Sequence, residues 1–195
     1  MSKPIHLFVS SSPELAPERE IVGQIIATMP LTIGWRIGHT PLPGSSLDNR
    51  ALWVEECDVY ALILGHDFSA PMGEELRKAT NKEIVPLAFW SRCTPSPSAQ
   101  NTINHVRLKW RIYTRLDQFQ AMFTMDLVRA LIKRASRLGL ATSDLAGLAV
   151  TLERLKKETA YLADISEQEE TEPGPRQTDA GRGGVILGRE VLDRP

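Results

Sequence analysis

The sequence predicts an α/β fold, a doubly wound sheet of about five mainly parallel strands. Three observations carry this. Short apolar β-prone runs alternate with amphipathic helical stretches through residues 5–138. The run Val59-Tyr60-Ala61-Leu62-Ile63-Leu64 is continuously apolar, as suits a central parallel strand buried on both faces. The first apolar run stops at Ser10-Ser11-Ser12-Pro13, and a charged helical stretch follows at once. In a parallel sheet such a turn lies at the carboxyl edge, where ligands bind.

In chain order, residues 5–9 read as a strand and 14–29 as a helix, with Leu15, Ile21, Val22, Ile25 and Ile26 near helical spacing. One of Ser10, Ser11 and Ser12 is expected to cap this helix, and Pro13 suits its first turn. Residues 31–37 alternate like a strand, and Pro41-Leu42-Pro43-Gly44 breaks the chain. A short helix at 47–57, with Ser45 or Ser46 as cap, precedes the strand at 59–64. Residues 73–80 read as a helix, 84–90 as a strand, 91–98 as a Ser/Pro-rich loop and 106–113 as a fifth or edge strand. A long amphipathic helix spans 116–138 and ends at Gly139.

Residues 1–140 thus form the α/β domain, and 141–164 a helical extension capped by Ser143-Asp144 with Leu148, Leu152 and Leu155 along it. Residues 165–195 are acidic, then rich in Pro, Gly and Arg, and poor in apolar residues, which predicts disorder. Within them, 183–188 (Gly-Gly-Val-Ile-Leu-Gly) is β-prone. It reads either as an inert tail or as a segment that tethers a protein partner by pairing with a sheet edge.

Composition narrows the function classes. The net charge of -1 gives no general attraction to nucleic acid or to an anionic membrane. No apolar run approaches the roughly 20 residues of a membrane helix, and the N-terminal run is too short for a signal peptide. The two cysteines, Cys57 and Cys93, have neither metal-ligand nor disulfide-framework spacing, so buried or semi-buried thiols in a reduced cytoplasmic setting are expected. No His/Cys/Asp cluster has the spacing of a metal site, and neither a metal nor another cofactor is expected.

The candidate site gathers at the predicted carboxyl edge. Ser10, Ser11 and Ser12 can hold a phosphate or ribose hydroxyl through their side chains and the N–H groups opening the helix, or they can cap it. Gly65 and His66 close the third strand at the same edge. His66 either binds ligand or moves a proton, or is a satisfied loop histidine. The lack of a Gly-rich loop argues against a dinucleotide fold of the Rossmann kind and against a P-loop. Asp58 opens the third strand at the opposite, amino edge and reads as structural. Glu18 and Arg19 read as structural, with Arg19 pairing to the acidic start of a neighbouring helix. The four tryptophans read as core or interface anchors, since no basic stripe accompanies them.

The strand followed by Ser-Ser-Ser-Pro-Glu-Leu and Glu18-Arg19 resembles the "VFISST…DL…ER" opening of domain-of-unknown-function family 4062. Cys57-Asp58-Val59-Tyr60-Ala61-Leu62-Ile63-Leu64-Gly65-His66 resembles its "ADI…ILGHRYG". Glu75-Leu76-Arg77-Lys78-Ala79, ahead of the strand at 84–90, resembles its "E-x-x-x-A…GKP". The chain departs from the pattern at Asp67-Phe68-Ser69 and Asn81-Lys82-Glu83. The likeness spans residues 4–139 in one colinear order.

The resemblance implies a flavodoxin-type fold of the TIR-like and nucleoside-deoxyribosyltransferase-like group. It also implies a nucleotide-binding sensor or effector of bacterial signalling or antiviral defence. Relatives of this kind hydrolyse N-glycosidic bonds of NAD or nucleosides with a glutamate on the helix after the third strand. That position is Glu75, and assembly into homo-oligomers is implied too. By residue pattern alone, Glu75 reads as a solvated acid in a first helical turn, and it is the resemblance that sets the catalytic reading beside it. Glu74 is adjacent but about 100° around the helix. The rival function is a non-catalytic protein-interaction module.

Overall fold

The computed structural model describes residues 3–40 and 50–171, with side chains for 3–40 and 53–159. The chain divides into two units, Met1–Ala160 and Tyr161–Pro195. In the second, the backbone is helical to residue 171. The candidate tether at 183–188 and the break at 41–44 lie outside the described residues.

Five parallel strands form one sheet in the order β2-β1-β3-β4-β5. They are β1 (Ile5–Ser11), β2 (Trp35–His39), β3 (Val59–Leu64), β4 (Leu87–Ser91) and β5 (Arg111–Tyr113). The helices are α1 (Ala16–Ala27), α2 (Arg50–Glu55), α3 (Ala70–Asn81), α4 (Pro97–His105), α5 (Leu116–Lys133), α6 (Ala135–Leu138) and α7 (Thr142–Thr171), with a 3₁₀ turn over Pro13–Leu15. This is the expected doubly wound α/β class, in the strand order of flavodoxin-type sheets. Its switch point falls between β1 and β3.

Strand alternation divides the core into two layers. Ile5, Leu7, Val9, Val59, Ala61 and Ile63 face α1 and α5, meeting Val22, Ile25, Phe119, Phe123 and Leu127. Phe8, Tyr60, Leu62 and Leu64 face the other way, meeting Val54 of α2, Met72, Leu76 and Ala79 of α3, and Ala99 of α4. Every residue of β1 and β3 is buried, as two-sided cover requires. Phe89 meets Phe119 edge to face, with ring centroids 5.4 Å apart.

Asp58 is structural, as read. Its carboxylate accepts from the His6 backbone N–H at 3.0 Å, its own N–H donates to His6 O at 2.8 Å, and Arg134 donates to its carbonyl at 2.6 Å. These bonds fasten the amino edge of β3 to β1.

The element boundaries differ from the sequence reading in ways that have causes. β1 runs two residues further, so Ser10 and Ser11 are strand residues paired with Leu62 and Ile63. The second strand lies at 35–39 rather than 31–37. The fourth starts at Leu87: Glu83 takes a positive φ of 56° and Pro86 has no N–H for a ladder. Residues 97–105, left without an element, form α4. Ser96 caps it by accepting from Ala99 N at 3.2 Å, and Pro97 opens it. The expected strand at 106–113 shrinks to three residues, held to α5 by the paired bonds of Arg111 to Asp126, both 2.9 Å.

The helix expected over 116–138 breaks at Arg134, and Gly139 ends it in the left-handed conformation, φ 66°. Asp144 lies inside α7 rather than ahead of it. It reaches back to Ala141 N at 3.0 Å and across to Thr32 N at 2.8 Å.

Candidate functional site

The serine run splits across the sheet because adjacent strand residues face opposite sides. Ser10 follows Phe8 onto the α3 face, where its hydroxyl donates to Glu75 Oε2 at 2.6 Å. Ser11 faces α1, where Arg19 Nη1 donates to its Oγ at 3.0 Å. Arg19 also donates to Ser12 O at 2.7 Å and Pro13 O at 3.0 Å, so its guanidinium ties down the whole turn. These bonds replace the ion pair that the sequence reading expected for Arg19. Ser12 precedes the 3₁₀ turn, but no serine side chain caps either that turn or α1. The Ser12 hydroxyl donates to Glu14 instead.

Glu75 occupies the buried face of α3 with Met72, Leu76 and Ala79, at the i−3, i+1 and i+4 positions. It is 3% exposed and Ser10 is fully buried, which overturns the reading of Glu75 as a solvated helical acid. Glu74 points outward and pairs with Arg77 at 2.7 Å, as the helical rotation required. Arg77 holds the Glu74 carboxyl below its usual range.

Thr40, one residue past β2, completes the cluster. Its hydroxyl lies 2.7 Å from Glu75 Oε2 and 3.5 Å from Ser10 Oγ, and its oxygen accepts the Ser11 N–H at 3.1 Å. A threonine has one hydroxyl hydrogen, and the shorter contact assigns it to Glu75. Two hydroxyls therefore donate to one carboxyl oxygen. The Tyr60 phenol lies close enough to Ser10 and Glu75 to respond to both; burial above all pushes its pKa up, so it stays neutral.

The other expected site residues stand around this cluster. Gly65 is buried beneath the 3₁₀ turn. A Cβ there would come within 2.9 Å of Glu14 Oε1 and 3.3 Å of the Leu15 side chain, so close approach by this turn accounts for the glycine. His66 is exposed, and its Nδ1 lies 2.6 Å from Thr94 O. Because a carbonyl only accepts, Nδ1 carries the hydrogen. His66 O also accepts from Ser96 N at 2.7 Å, and Ser96 Oγ donates to Asp67 Oδ1 at 2.6 Å. His66 thus belongs to bonds that join the ends of β3 and β4, while Ser10, Thr40 and Glu75 form a separate set.

Sequence reading missed Thr40 and treated Glu18 only as a surface partner. Glu18 is buried, and Tyr113 at the end of β5 donates to it at 2.9 Å. Thr40 is recoverable only from the strand pairing: Val9 sits opposite His39, so the next residue of each chain meets at the carboxyl edge. His39 itself is held below its ordinary pKa by partial burial and then by the Arg19 charge.

A groove of about 500 Å³ lies elsewhere, between the end of α1, the first half of α5, and α7. Ser10, Thr40 and Glu75 take no part in it. The hydroxyls of Thr28, Thr124 and Thr151 on its walls donate to carbonyls of their own helices. Among the described residues no group of three or more His, Cys, Asp or Glu side chains could hold a metal ion, and no helix is long and apolar enough to cross a membrane.

The fold and the site define an α/β protein with a buried, hydroxyl-bound glutamate at the carboxyl edge of its sheet. No family model matches the chain, and no curated protein matches it. Among solved structures, the Clostridium botulinum CMP N-glycosidase BcmB is similar to it at 14% identity, with a TM-score of 0.41, over 62% of this chain and 98% of that one.

Proposed function

We propose that this chain binds a nucleotide-type ligand at the carboxyl edge of its sheet and hydrolyses an N-glycosidic bond of NAD or a nucleoside there, with Glu75 as the key carboxylate. One observation carries the reading. Glu75 on α3 meets Ser10 from β1 and Thr40 from the end of β2, so three elements converge beside the β1/β3 switch point on one carboxyl oxygen. A helical acid with no task beyond solubility would point outward, as Glu74 does.

In the proposed reaction the C1′–N bond breaks and its electron pair leaves with the base. A water oxygen bonds to C1′, and one water proton goes to the departing base of a nucleoside, or to solvent in the case of NAD, whose nicotinamide leaves as a neutral molecule. Positive charge builds on the sugar before the water bond is complete. A carboxylate in the position of Glu75 stabilises that charge or holds the ribose hydroxyls. The motif likeness to family 4062 supports the same reading, including a role as a sensor or effector module in bacterial signalling or defence.

The test is release of free nucleobase from NAD, nucleosides and nucleoside monophosphates, followed by chromatography, with the wild-type chain and Glu75→Gln. The proposal expects turnover with at least one of these compounds and its loss, by about 10²-fold or more, in the variant. Binding without turnover would favour a recognition module. Turnover that survives Glu75→Gln would remove Glu75 from the chemistry.

A further inference from the structure

We infer that Arg19 and His39 form a phosphate subsite on the α1 side of the carboxyl edge, so that the ligand of this chain carries a phosphate and is not a free nucleoside. This deepens the proposed function and rests on that reading of the edge around Glu75. The assignment starts from how the arginines are used. Arg77, Arg111 and Arg115 each turn Nε–H and an Nη2–H onto one carboxylate, that of Glu74, Asp126 and Asp117 respectively. Arg19 is bound differently. Its Nη1 donates to Ser11 Oγ and Ser12 O, and one Nη2 hydrogen goes to Pro13 O. Among the described residues its Nε–H and second Nη2 hydrogen have no acceptor, and no carboxylate pairs with its charge. A planar fork of this kind fits two oxygens of a phosphate.

The neighbouring strand brings the second group. Val9 faces α1 and pairs in register with His39, so the His39 side chain leaves β2 on that same face, beyond Trp35 and Ile37, which pack against the α1 layer. Ser11, two residues on from Val9, shares the face and holds Arg19. His39 is exposed, at the end of its strand. Partial burial and then the Arg19 charge disfavour its protonated form, so the two groups stand close enough to oppose each other. An anion seated between them removes that opposition. The acids nearest Arg19 in sequence do not take this place: Glu18 is turned inward to Tyr113, Glu14 lies over Gly65 with the Ser12 hydroxyl donating to it, and Glu20 is exposed. Each strand end thus puts consecutive residues on the two sides of the edge. Ser10 and Thr40 touch Glu75, while Ser11 and His39 belong to the Arg19 side. Consecutive Cα atoms are only about 3.8 Å apart. A nucleotide lying across the edge has its sugar toward Glu75 and its phosphate toward Arg19.

The experiment titrates the full isotope-labelled chain with inorganic phosphate, a nucleoside, its monophosphate and NAD, with sodium chloride at matched ionic strength as the blank, and follows amide and imidazole NMR shifts. Phosphate alone is expected to give saturable shifts at Ser11, Ser12, Arg19 and His39. The monophosphate or NAD is expected to bind at least about tenfold more tightly than the nucleoside. For the tighter of these two, His39→Gln is expected to weaken binding by about threefold or more. Arg19→Lys, which keeps the charge and loses the fork, is expected to weaken it by about tenfold. Nucleoside affinity is expected to stay the same in both. Each variant is first checked for a dispersed amide spectrum, and if Arg19→Lys does not fold, His39→Gln decides. Phosphate shifts no larger than those of chloride overturn the assignment. So does a nucleoside bound as tightly as both phosphorylated compounds, or a folded variant with wild-type affinity for them. Phosphate binding at Arg19 and His39 without turnover of any compound would sink the proposed activity and leave the subsite standing. Turnover with nucleoside and monophosphate bound equally well would sink the subsite alone.

Discussion

Ser10 Oγ and Glu75 Oε2, 65 residues apart in sequence, are joined by a hydrogen bond of 2.6 Å, while Ser11 turns to the other face of the sheet and is held by Arg19. One step along a strand separates a residue that supports a buried carboxyl from one that locks a turn. The bond also spans the switch point, joining β1 to the helix that follows β3.

Removing the two hydroxyls should therefore have unequal effects. Ser10→Ala takes a donor from a buried carboxyl and is expected to cost about 1–3 kcal/mol of stability. Ser11→Ala leaves Arg19 bound to two carbonyls and is expected to cost less than about 1 kcal/mol. Urea unfolding of the two variants compares them directly, and equal losses would contradict the division of roles.

Gly38 in β2 lies under aromatic rings. A Cβ there would come 2.8 Å from Trp53 and 3.0 Å from Phe8. Neither ring is the free end of a flexible chain, so Gly38→Ala is expected to destabilise by about 1–3 kcal/mol through overpacking. Denaturant midpoints measure it. A variant as stable as the wild type would show that Trp53, which also stacks under Arg36 at 4.0 Å, shifts freely.

Asp144 links α7 to the segment before β2, and its carboxyl is held below the ordinary aspartate value of 3.8, first by the Thr32 N–H and then by the Ala141 N–H. A carboxyl depressed in the folded state binds protons more readily when unfolded. Its stabilising contribution is thus complete above about pH 3.8 and is lost as pH falls through the lower folded value. Asp144→Asn should be less stable than wild type at neutral pH, with the gap closing as the pH approaches the folded value. Thermal melts across that range test it, and a gap independent of pH would contradict it.

The cysteines should separate by reactivity. Burial pushes the Cys57 thiol up to about 12. Cys93 is exposed, contrary to the expectation of two buried or semi-buried thiols. A colorimetric thiol reagent is expected to titrate one thiol in the native protein and both in denaturant. Two fast thiols in the native state would mean that Cys57 is reached by local opening.

Much of this was legible in the residues. The continuous run of β3 marked the sheet centre. The inward face of Glu75 was missed, because starting the helix at Gly73 put it in a first turn; a start at Ala70 sets it on one face with Met72, Leu76 and Ala79. The serine run was harder. Ending β1 at Val9 turned Ser10 and Ser11 into loop residues, whereas two more steps of strand alternation would have sent them to opposite faces. Ser96-Pro97 carried a helix-start signal that the surrounding Ser/Pro composition concealed. Thr40 left no local mark, because its role depends on β2 pairing with β1, a non-local fact. The same holds for the buried Glu18–Tyr113 pair, 95 residues apart in sequence.

The central claim is that the ligand site is the carboxyl edge around Glu75. The most direct measurement is an NMR map of amide shifts on adding NAD, nucleosides or nucleoside monophosphates to the isotope-labelled chain. The account predicts saturable shifts at Ser10, Ser11, Thr40 and the first turns of α3, weakened in Glu75→Gln. Shifts confined to the groove between α1, α5 and α7, or none with any compound of the series, would contradict it.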